Sequence, residues 1–365
     1  MNSKPCNGKR ILITGGTGSL GKTLIRRLLS NEFGEPEKVI VFSRDEAKQY
    51  FMRLDFQQRT AATDEIIYRN FQQLLEFRIG DIRDYSSVAS VLRDVDIVFN
   101  AAAMKQVPTC EYFPYEAVRT NIQGAENIVR AIQEHTLMVE TVVGISTDKA
   151  CKPVNTMGIT KAVQERIFIQ GNMRCPGTRF VCVRYGNVLA SRGSVIPLFH
   201  DQIVRGGPVT ITTADMTRFL LSLEDAVDTV LAALIEAQAG EIYVPRAPAA
   251  RVVDIAQALI GKRDIKTTIT GIRPGEKIHE IMVSDEEAPR AQERGRWYAL
   301  LPMLPEICGE RTGSGCLTKE YSSNDTVMNL EETAALLKNN RLMLEDVGVQ
   351  APNVFGGYQG RELLR

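Results

Sequence analysis

Thr14-Gly15-Gly16-Thr17-Gly18-Ser19-Leu20-Gly21 is a Gly-x-x-Gly-x-x-Gly run that directly follows the apolar stretch Arg10–Thr14 and opens the helix-like stretch Leu20–Leu29. That setting gives the glycines a chemical use. Gly15 permits a tight turn, Gly18 lets backbone approach a pyrophosphate, and Gly21 lets a helix pack closely on its strand. Thr17, Ser19 and Leu20 belong to the same turn, and the pyrophosphate would sit at the positive end of the helix dipole. A dinucleotide is therefore the expected ligand. At the end of the second strand stands Phe42-Ser43-Arg44-Asp45-Glu46. Ser43 and Arg44 come first and suit a 2′-phosphate, which favours NADP and leaves NAD possible. The plainer alternative makes Arg44 a solvated charge and Asp45 a cap of the next helix. Gly80-Asp81-Ile82-Arg83 follows the third strand and offers a carboxylate to adenine's amino group. Asn100-Ala101-Ala102-Ala103 follows the fourth, where small side chains such as Ala101 and Ala103 would let nicotinamide-ribose approach the backbone.

These residues need a frame that brings strand ends together. Apolar, β-type runs occur at Arg10–Thr14, Val39–Ser43, Leu75–Ile79, Asp96–Ala101, Glu140–Ser146 and Phe180–Tyr185. Between them, Leu20–Leu29, Tyr115–Gln133 and Asn155–Gln170 carry helical periodicity. Alternating β and α segments with apolar strands predict an α/β fold with a doubly wound parallel sheet. After Asn187 the segments shorten and are broken by Gly206-Gly207-Pro208, Pro245, Pro248 and Arg273-Pro274-Gly275. The expected division is a dinucleotide-binding domain over 1–187 and a smaller substrate lobe with a C-terminal extension over 188–365, the chain being free to cross between them. Ile307–Ser323 reads as a loop before a last helix near Leu330–Asn339; the tail beyond Pro352 carries no clear pattern.

Composition narrows the classes. At 365 residues and 44% hydrophobic, the chain can bury a large core. Forty-four basic residues balance 44 acidic ones, so no global field draws it to nucleic acid or an anionic membrane. The N-terminus lacks a signal-peptide apolar region, and no apolar run approaches a membrane span. Seven scattered cysteines without a CxxC pair, and only three histidines, argue for reduced thiols and against a structural zinc site. A cytoplasmic enzyme without a metal is expected.

Further motifs resemble the extended short-chain dehydrogenase/reductase family, of Rossmann type, over nearly the whole chain. Ala103-Met104-Lys105-Gln106-Val107-Pro108, Ser146-Thr147-Asp148-Lys149-Ala150 and Asn155-Thr156-Met157-Gly158-Ile159-Thr160-Lys161 are similar to the C5-inverting UDP-N-acetylglucosamine 4,6-dehydratases. Those enzymes serve bacterial capsule, O-antigen and flagellar-sugar pathways. Arg273-Pro274-Gly275-Glu276-Lys277 and Glu320-Tyr321-Ser322-Ser323-Asn324-Asp325-Thr326 resemble the capsular branch. One departure matters. Most of the superfamily has Tyr-x-x-x-Lys on one helical face. Here Lys161, expected also to contact the cofactor, is present, but Met157 stands in the tyrosine position. A thioether cannot act as a base, so the ordinary proton acceptor is missing. Some members of the dehydratase group also have methionine there.

The resemblance implies a lyase. Hydride would leave sugar C4 for NADP⁺, a base would take the C5 proton while an acid releases the C6 hydroxyl as water, and the hydride would return to C6. Thr147-Asp148-Lys149, at the C-terminal end of a parallel strand, would supply that chemistry: Lys149 as C5 base, Asp148 as proton donor to the C6 oxygen, Thr147 on the C4 hydroxyl. Met157 would pack against sugar or nicotinamide, the plainer alternative being a core position, as for most methionines at helical positions. Lys105 lies on the loop after the fourth strand, near the expected sugar position. Arg184-Tyr185-Gly186-Asn187-Val188 and Arg192-Gly193-Ser194-Val195-Ile196-Pro197 would contribute to substrate recognition. Asn187 and Ser194 would meet the diphosphate, Arg218 would pair with phosphates, and Glu276 would hold the ribose. The partner would be a UDP-sugar, and the helices at Tyr115–Gln133 and Asn155–Gln170 would pack across a two-fold in a homodimer or larger ring. Two alternatives stand: a UDP-sugar 4-epimerase, which needs no acid–base pair at C5 and C6, and a non-catalytic NADP-binding sensor or scaffold.

Overall fold

The computed structural model describes residues 4–57, 65–189, 194–310 and 315–346. The chain forms two compact units. Unit 1 comprises Met1–Gly186, Leu223–Arg246 and Ile281–Ser322; unit 2 comprises Asn187–Ser222, Ala247–Glu280 and Ser323–Arg365. The chain thus first leaves unit 1 after Gly186 and returns to it twice.

Unit 1 is built on β1 (Arg10–Thr14), β2 (Lys38–Ser43), β3 (Leu75–Ile79), β4 (Ile97–Asn100), β5 (Thr141–Ile145) and β6 (Arg179–Val183). Their sequences are rich in Val, Ile and Phe, and β4 and β5 are buried throughout. The nine-stranded sheet runs β3-β2-β1-β4-β5-β6, then Ile242–Pro245, Trp297–Leu300 and Ala291–Arg294. All pairs from β3 to Ile242–Pro245 are parallel, and the last two strands add antiparallel. This is the doubly wound α/β sheet expected from the alternating pattern. Strand order reverses beside β1, between β2 and β4, which opens a crevice at the C-terminal strand ends.

Helices cover the sheet because their apolar faces must be buried. Leu24, Ile25, Leu28 and Leu29 of the Ser19–Leu29 helix sit in one core with Ile11, Ile13, Val39 and Val41. The stretch read as a helix over Tyr115–Gln133 is continuous but not uniform. Pro114–Ala117 and Gly124–Glu134 are α-helical, and Val118–Gln123 between them is a π-turn. The Thr156–Arg174 helix is capped by Asn155, whose side chain accepts from the Gly158 amide at 2.8 Å.

Unit 2 has a four-stranded sheet, ordered Val327–Met328, Ala249–Arg251, Thr217–Leu221, Asn187–Val188, and a two-stranded one of Thr267–Ile269 and Val209–Ile211. Its core joins Ile196, Phe199 and Ile203 of the Val195–Val204 helix to Ile255 and Leu259 of the Val252–Ile260 helix and to Leu337. The last described helix, Leu330–Asn339, begins with a capping box between Asn329 and Glu332. The tail beyond Pro352 lies outside the described residues. Among those described, no helix is long and apolar enough to cross a membrane.

Candidate functional site

The glycine turn forms as its spacing requires. Gly15 has φ +66°, and a side chain there would stand 2.8 Å from the Ala102 backbone. At Gly21 a Cβ would lie 2.5 Å from Gly16 Cα, so the helix starts directly on the turn. The turn is stitched to the loop after β4. Thr14 Oγ1 donates to Asn100 Oδ1 at 2.7 Å and accepts from the Ala102 amide at 3.2 Å, while the Ala101 amide donates to Thr14 O at 3.2 Å. Ala101 is half-buried and Ala103 exposed. Gly18 caps the Ser19–Leu29 helix without a side-chain bond, and no acidic residue occupies its first turn, where Ser19 and Leu20 sit. A positive helix end with no competing carboxylate suits a pyrophosphate.

Around this turn, Thr17 Oγ1 lies 3.2 Å from Ser43 Oγ. Asp45 turns away to cap the next helix, accepting from the Lys48 amide at 2.9 Å and pairing with its ammonium. Hydrogen bonds from Lys48 hold the Asp45 carboxyl below its ordinary value. Arg44 is 60% exposed and 3.6 Å from Asp81. Asp81 is itself engaged by Arg83, whose Nε and Nη2 reach it at 2.9 and 2.6 Å. Burial would raise that carboxyl, but the Arg83 bonds outweigh it and hold it low. Ile82 is buried, packs against Gly124, and its carbonyl accepts from Asn127 at 2.9 Å.

Thr147, Asp148 and Lys149 occupy the end of β5, where Asp148–Ala150 form a 3-10 turn capped by Thr147. Asp148 is fully buried, Thr147 Oγ1 donates to its Oδ1 at 2.8 Å, and Lys149 Nζ donates to the same oxygen at 3.0 Å. The Asp148 amide donates to Tyr185 O at 3.0 Å, which ties the turn to the chain beyond β6. Gly158 completes the placement. A Cβ there would stand 2.2 Å from Lys149 O, so only glycine lets the Thr156–Arg174 helix lie against the turn.

That helix carries Met157 and Lys161. Met157 is 4% exposed and packs in an apolar cluster with Cys110, Ala117, Met104 and Val107. It is a core residue of unit 1. Lys161 is buried, and its ammonium donates to Ile145 O and, at 2.7 Å, to Gln164 Oε1. Burial lowers its pKa to about 8, with Cys182 and Glu165 opposing. Lys105 is exposed on the loop after β4. Asn121, in the π-turn, holds that loop: it accepts from Met104 N, and its Nδ2 donates to Met104 O and to Thr160 Oγ1, all at 2.9 Å.

Arg184, grouped by its sequence neighbours with substrate recognition, is instead a structural residue, 1% exposed. Its guanidinium reaches Glu165 at 2.7 Å and Glu287 at 2.7 Å. Asn121, Glu165 and Glu287 were not singled out from the sequence. A Glu four residues after Lys161 on the same helix face was the available signal for Glu165; nothing local marks Glu287.

Unit 2 holds Asn187, Ser194, Arg218 and Glu276. Arg218, on the Thr217–Leu221 strand, is 8% exposed; its Nη1 donates to Thr217 O at 2.7 Å and Ile278 O at 3.0 Å, and its Nε lies 3.9 Å from Glu280. Asn187 Oδ1, Ser194 Oγ and Glu276 Oε2 are buried and have no hydrogen-bond partner among the described residues, and Thr213 Oγ1 shares that property. Buried polar atoms are normally satisfied, so four in one small unit point to a ligand. Arg192 and Gly193 lie outside the described residues.

The profile of a family described as polysaccharide biosynthesis protein matches residues 11–302. The chain belongs to this family, within the extended short-chain dehydrogenase/reductases. A curated relative from Rickettsia bellii (strain OSU 85-389), named UDP-glucose 4-epimerase, is 42% identical over 351 residues, covering 93% of this chain and 98% of its own. The X-ray structure of Pen from Bacillus thuringiensis is 32% identical, with a TM-score of 0.80, over 93% of this chain and 99% of that one. The dTDP-glucose 4,6-dehydratase DesIV from Streptomyces venezuelae, solved with NAD bound, shares the fold at a TM-score of 0.62 and 21% identity, over 74% of this chain and 86% of that one.

Proposed function

We propose that this family member is an NADP-dependent nucleotide-sugar 4,6-dehydratase, acting on UDP-N-acetylglucosamine with inversion at C5, in the synthesis of bacterial surface polysaccharide sugars. The observation that carries the reading is the Asp148–Lys149 pair, 3.0 Å apart at a parallel strand end. When bound, the nicotinamide would take hydride from sugar C4 and return it to C6. Thr147, bonded to Asp148, would pass the C4 hydroxyl proton to that carboxylate. Neutral Lys149 would remove the C5 proton, acidified by the C4 ketone. Asp148 would protonate the C6 oxygen as the C6–O bond breaks, and water would leave. C5 then regains a proton from solvent-exchanged Lys149 or water, and no net redox change results.

NADP is supported by Asp45, which caps a helix and so leaves Ser43 and exposed Arg44 at the expected 2′-phosphate position. In unit 2 a sugar-nucleotide is supported by Arg218 and the Ser194 hydroxyl, which can donate to phosphate oxygens, and by the unsatisfied Asn187 Oδ1 and Glu276 Oε2, which can accept from its hydroxyl or base N–H groups. A homodimer is supported by Tyr115 and Ile159, apolar yet 70% and 50% exposed on the helices expected to meet at a two-fold. A cytoplasmic location goes with this reading.

A second reading, UDP-glucose 4-epimerase, is favoured by the name of the Rickettsia relatives. Incubation with UDP-N-acetylglucosamine in heavy water separates the two. Loss of water, a new 6-methyl group and deuterium at C5 are expected. Unchanged mass with conversion to the galacto isomer would establish the epimerase instead.

A further inference from the structure

The chain returns to unit 1 at Ile281, and Met282, Asp285, Glu287 and Glu320 there are bonded to the acid–base turn or to the residues that hold it. Glu287 forms a two-pronged pair with Arg184, Nη1 to Oε2 at 2.7 Å and Nη2 to Oε1 at 3.1 Å. Arg184 Nη1 also donates to Met282 O at 2.7 Å, and its other edge grips Glu165 at 2.7 and 3.1 Å. Glu165 in turn accepts from Ser146, the residue before Thr147. Arg184 directly precedes Tyr185, whose carbonyl receives the Asp148 amide. At the far end of the turn, Cys151 Sγ lies 3.6 Å from Glu287 Oε2. One residue on, Lys152 adopts φ +43° and its ammonium joins Asp285 at 2.9 Å and Glu320 at 2.7 Å. Both ends of the Thr147–Cys151 turn are therefore fastened to a segment that is over a hundred residues distant in sequence and contributes no group to the proposed reaction.

The chemistry of the fastening fits a fixed support. Burial would raise the Glu287 carboxyl, but Arg184 overrides it and holds it well below its ordinary value, which favours the charged pair. Buried, bidentate carboxylate–guanidinium contacts have one geometry, unlike flexible surface pairs.

We infer that the stretch from Met282 to Glu287, together with Glu320, is the rear support of the acid–base turn and that Glu287 is its main positioning residue, setting Asp148 and Lys149 through Arg184 and Cys151. The role rests on the dehydratase reading for its chemical meaning, but the support itself can be tested without substrate. Removing it frees the turn at both ends, and displacement of a general acid or base by about 1 Å costs on the order of 10²-fold in rate.

The test compares the intact protein with Glu287→Gln, which keeps shape and removes charge, and Lys152→Met, which breaks only the two partly exposed ion pairs to Asp285 and Glu320. Hydrogen exchange of the Asp148, Ala150 and Cys151 amides is followed by mass spectrometry, with β1 and β4 as internal references. Exchange in the turn should rise about tenfold or more in Glu287→Gln and less in Lys152→Met, with the reference strands unchanged. In the same samples, water loss from UDP-N-acetylglucosamine should fall on the order of 10²-fold in kcat for Glu287→Gln with little change in KM. Glu287→Asp should recover part of it. Unchanged exchange in the turn in both variants overturns the inference, as does a rise spread equally over β1 and β4. Should Glu287→Gln fail to fold, Lys152→Met decides alone, by a rise confined to the turn or its absence. Faster exchange in the turn of a protein that removes water from no UDP-sugar would leave the support standing and sink the dehydratase reading.

Discussion

The end of β5 in unit 1 and the polar residues of unit 2 are built on opposite principles. Around Thr147–Lys149, Ser146 has Glu165, Arg184 has Glu165 and Glu287, Lys161 has Ile145 O and Gln164, and Lys149 has Asp148. The fold itself answers these groups, so their arrangement is set before any ligand arrives. In unit 2, Asn187, Ser194, Thr213 and Glu276 each keep a buried oxygen without a partner among the described residues. Leaving such atoms unpaired is costly, and a ligand that satisfies them recovers that cost as affinity. On the proposed reading, one region holds geometry and the other holds binding energy in reserve.

Substitutions can break this contrast, the largest at Gly158. Gly158→Ala drives a methyl into Lys149 O, 2.2 Å away, and should lower kcat on the order of 10²-fold while UDP binding changes little. Steady-state kinetics beside UDP titration checks it. Arg44→Ser should weaken NADP about tenfold and leave NAD unaltered, since one charge-assisted contact is lost; fluorescence titration of both cofactors reads this.

A matched pair sharpens the contrast in stability. Ser146→Ala removes a satisfied donor and should cost ~1–3 kcal/mol in urea unfolding of the ligand-free protein, whereas Thr213→Val removes an unsatisfied hydroxyl and should gain ~1 kcal/mol. UDP should then bind Thr213→Val more weakly. The subtlest effect is a pH trend. Lys161 titrates near 8 when folded against 10.5 as its ordinary value. Between those values the unfolded chain binds more protons, so stability should rise with pH from about 8 to 10.5, and this rise should vanish in Lys161→Met.

The first half of the molecule was legible because its signals are local. Strands with apolar, β-branched sequences fall within a residue or two of their predicted limits, and the glycine run links β1 to its helix, with Gly15–Gly18 in the turn and Gly21 in the first turn of the helix. The Thr147–Lys149 motif announces its place because it ends a buried strand. Long-range pairing is what periodicity cannot convey. Arg184 meets a Glu287 103 residues away, so its burial is invisible in the motif that contains it. The π-turn at Val118–Gln123 differs from an α-helix only in backbone registry, and the bond that its Asn121 makes to Met104 requires the loop after β4 to be in place. For Met157, helical spacing is compatible with both a ligand contact and the core; its cluster with Cys110 and Ala117 depends on neighbours that spacing alone does not name.

The central claim is that Lys149 and Asp148 carry proton transfer at C5 and C6, and Lys149→Met tests it most directly. Wild type and variant are incubated with UDP-N-acetylglucosamine in heavy water, and deuterium at C5 and loss of water are followed by proton NMR and mass spectrometry. The expected result is water loss with C5 labelling in the wild type and a fall of about 10²–10⁴-fold in both for the variant, with NADP and UDP still bound. A Lys149→Met protein that eliminates water and labels C5 at the wild-type rate would contradict the account.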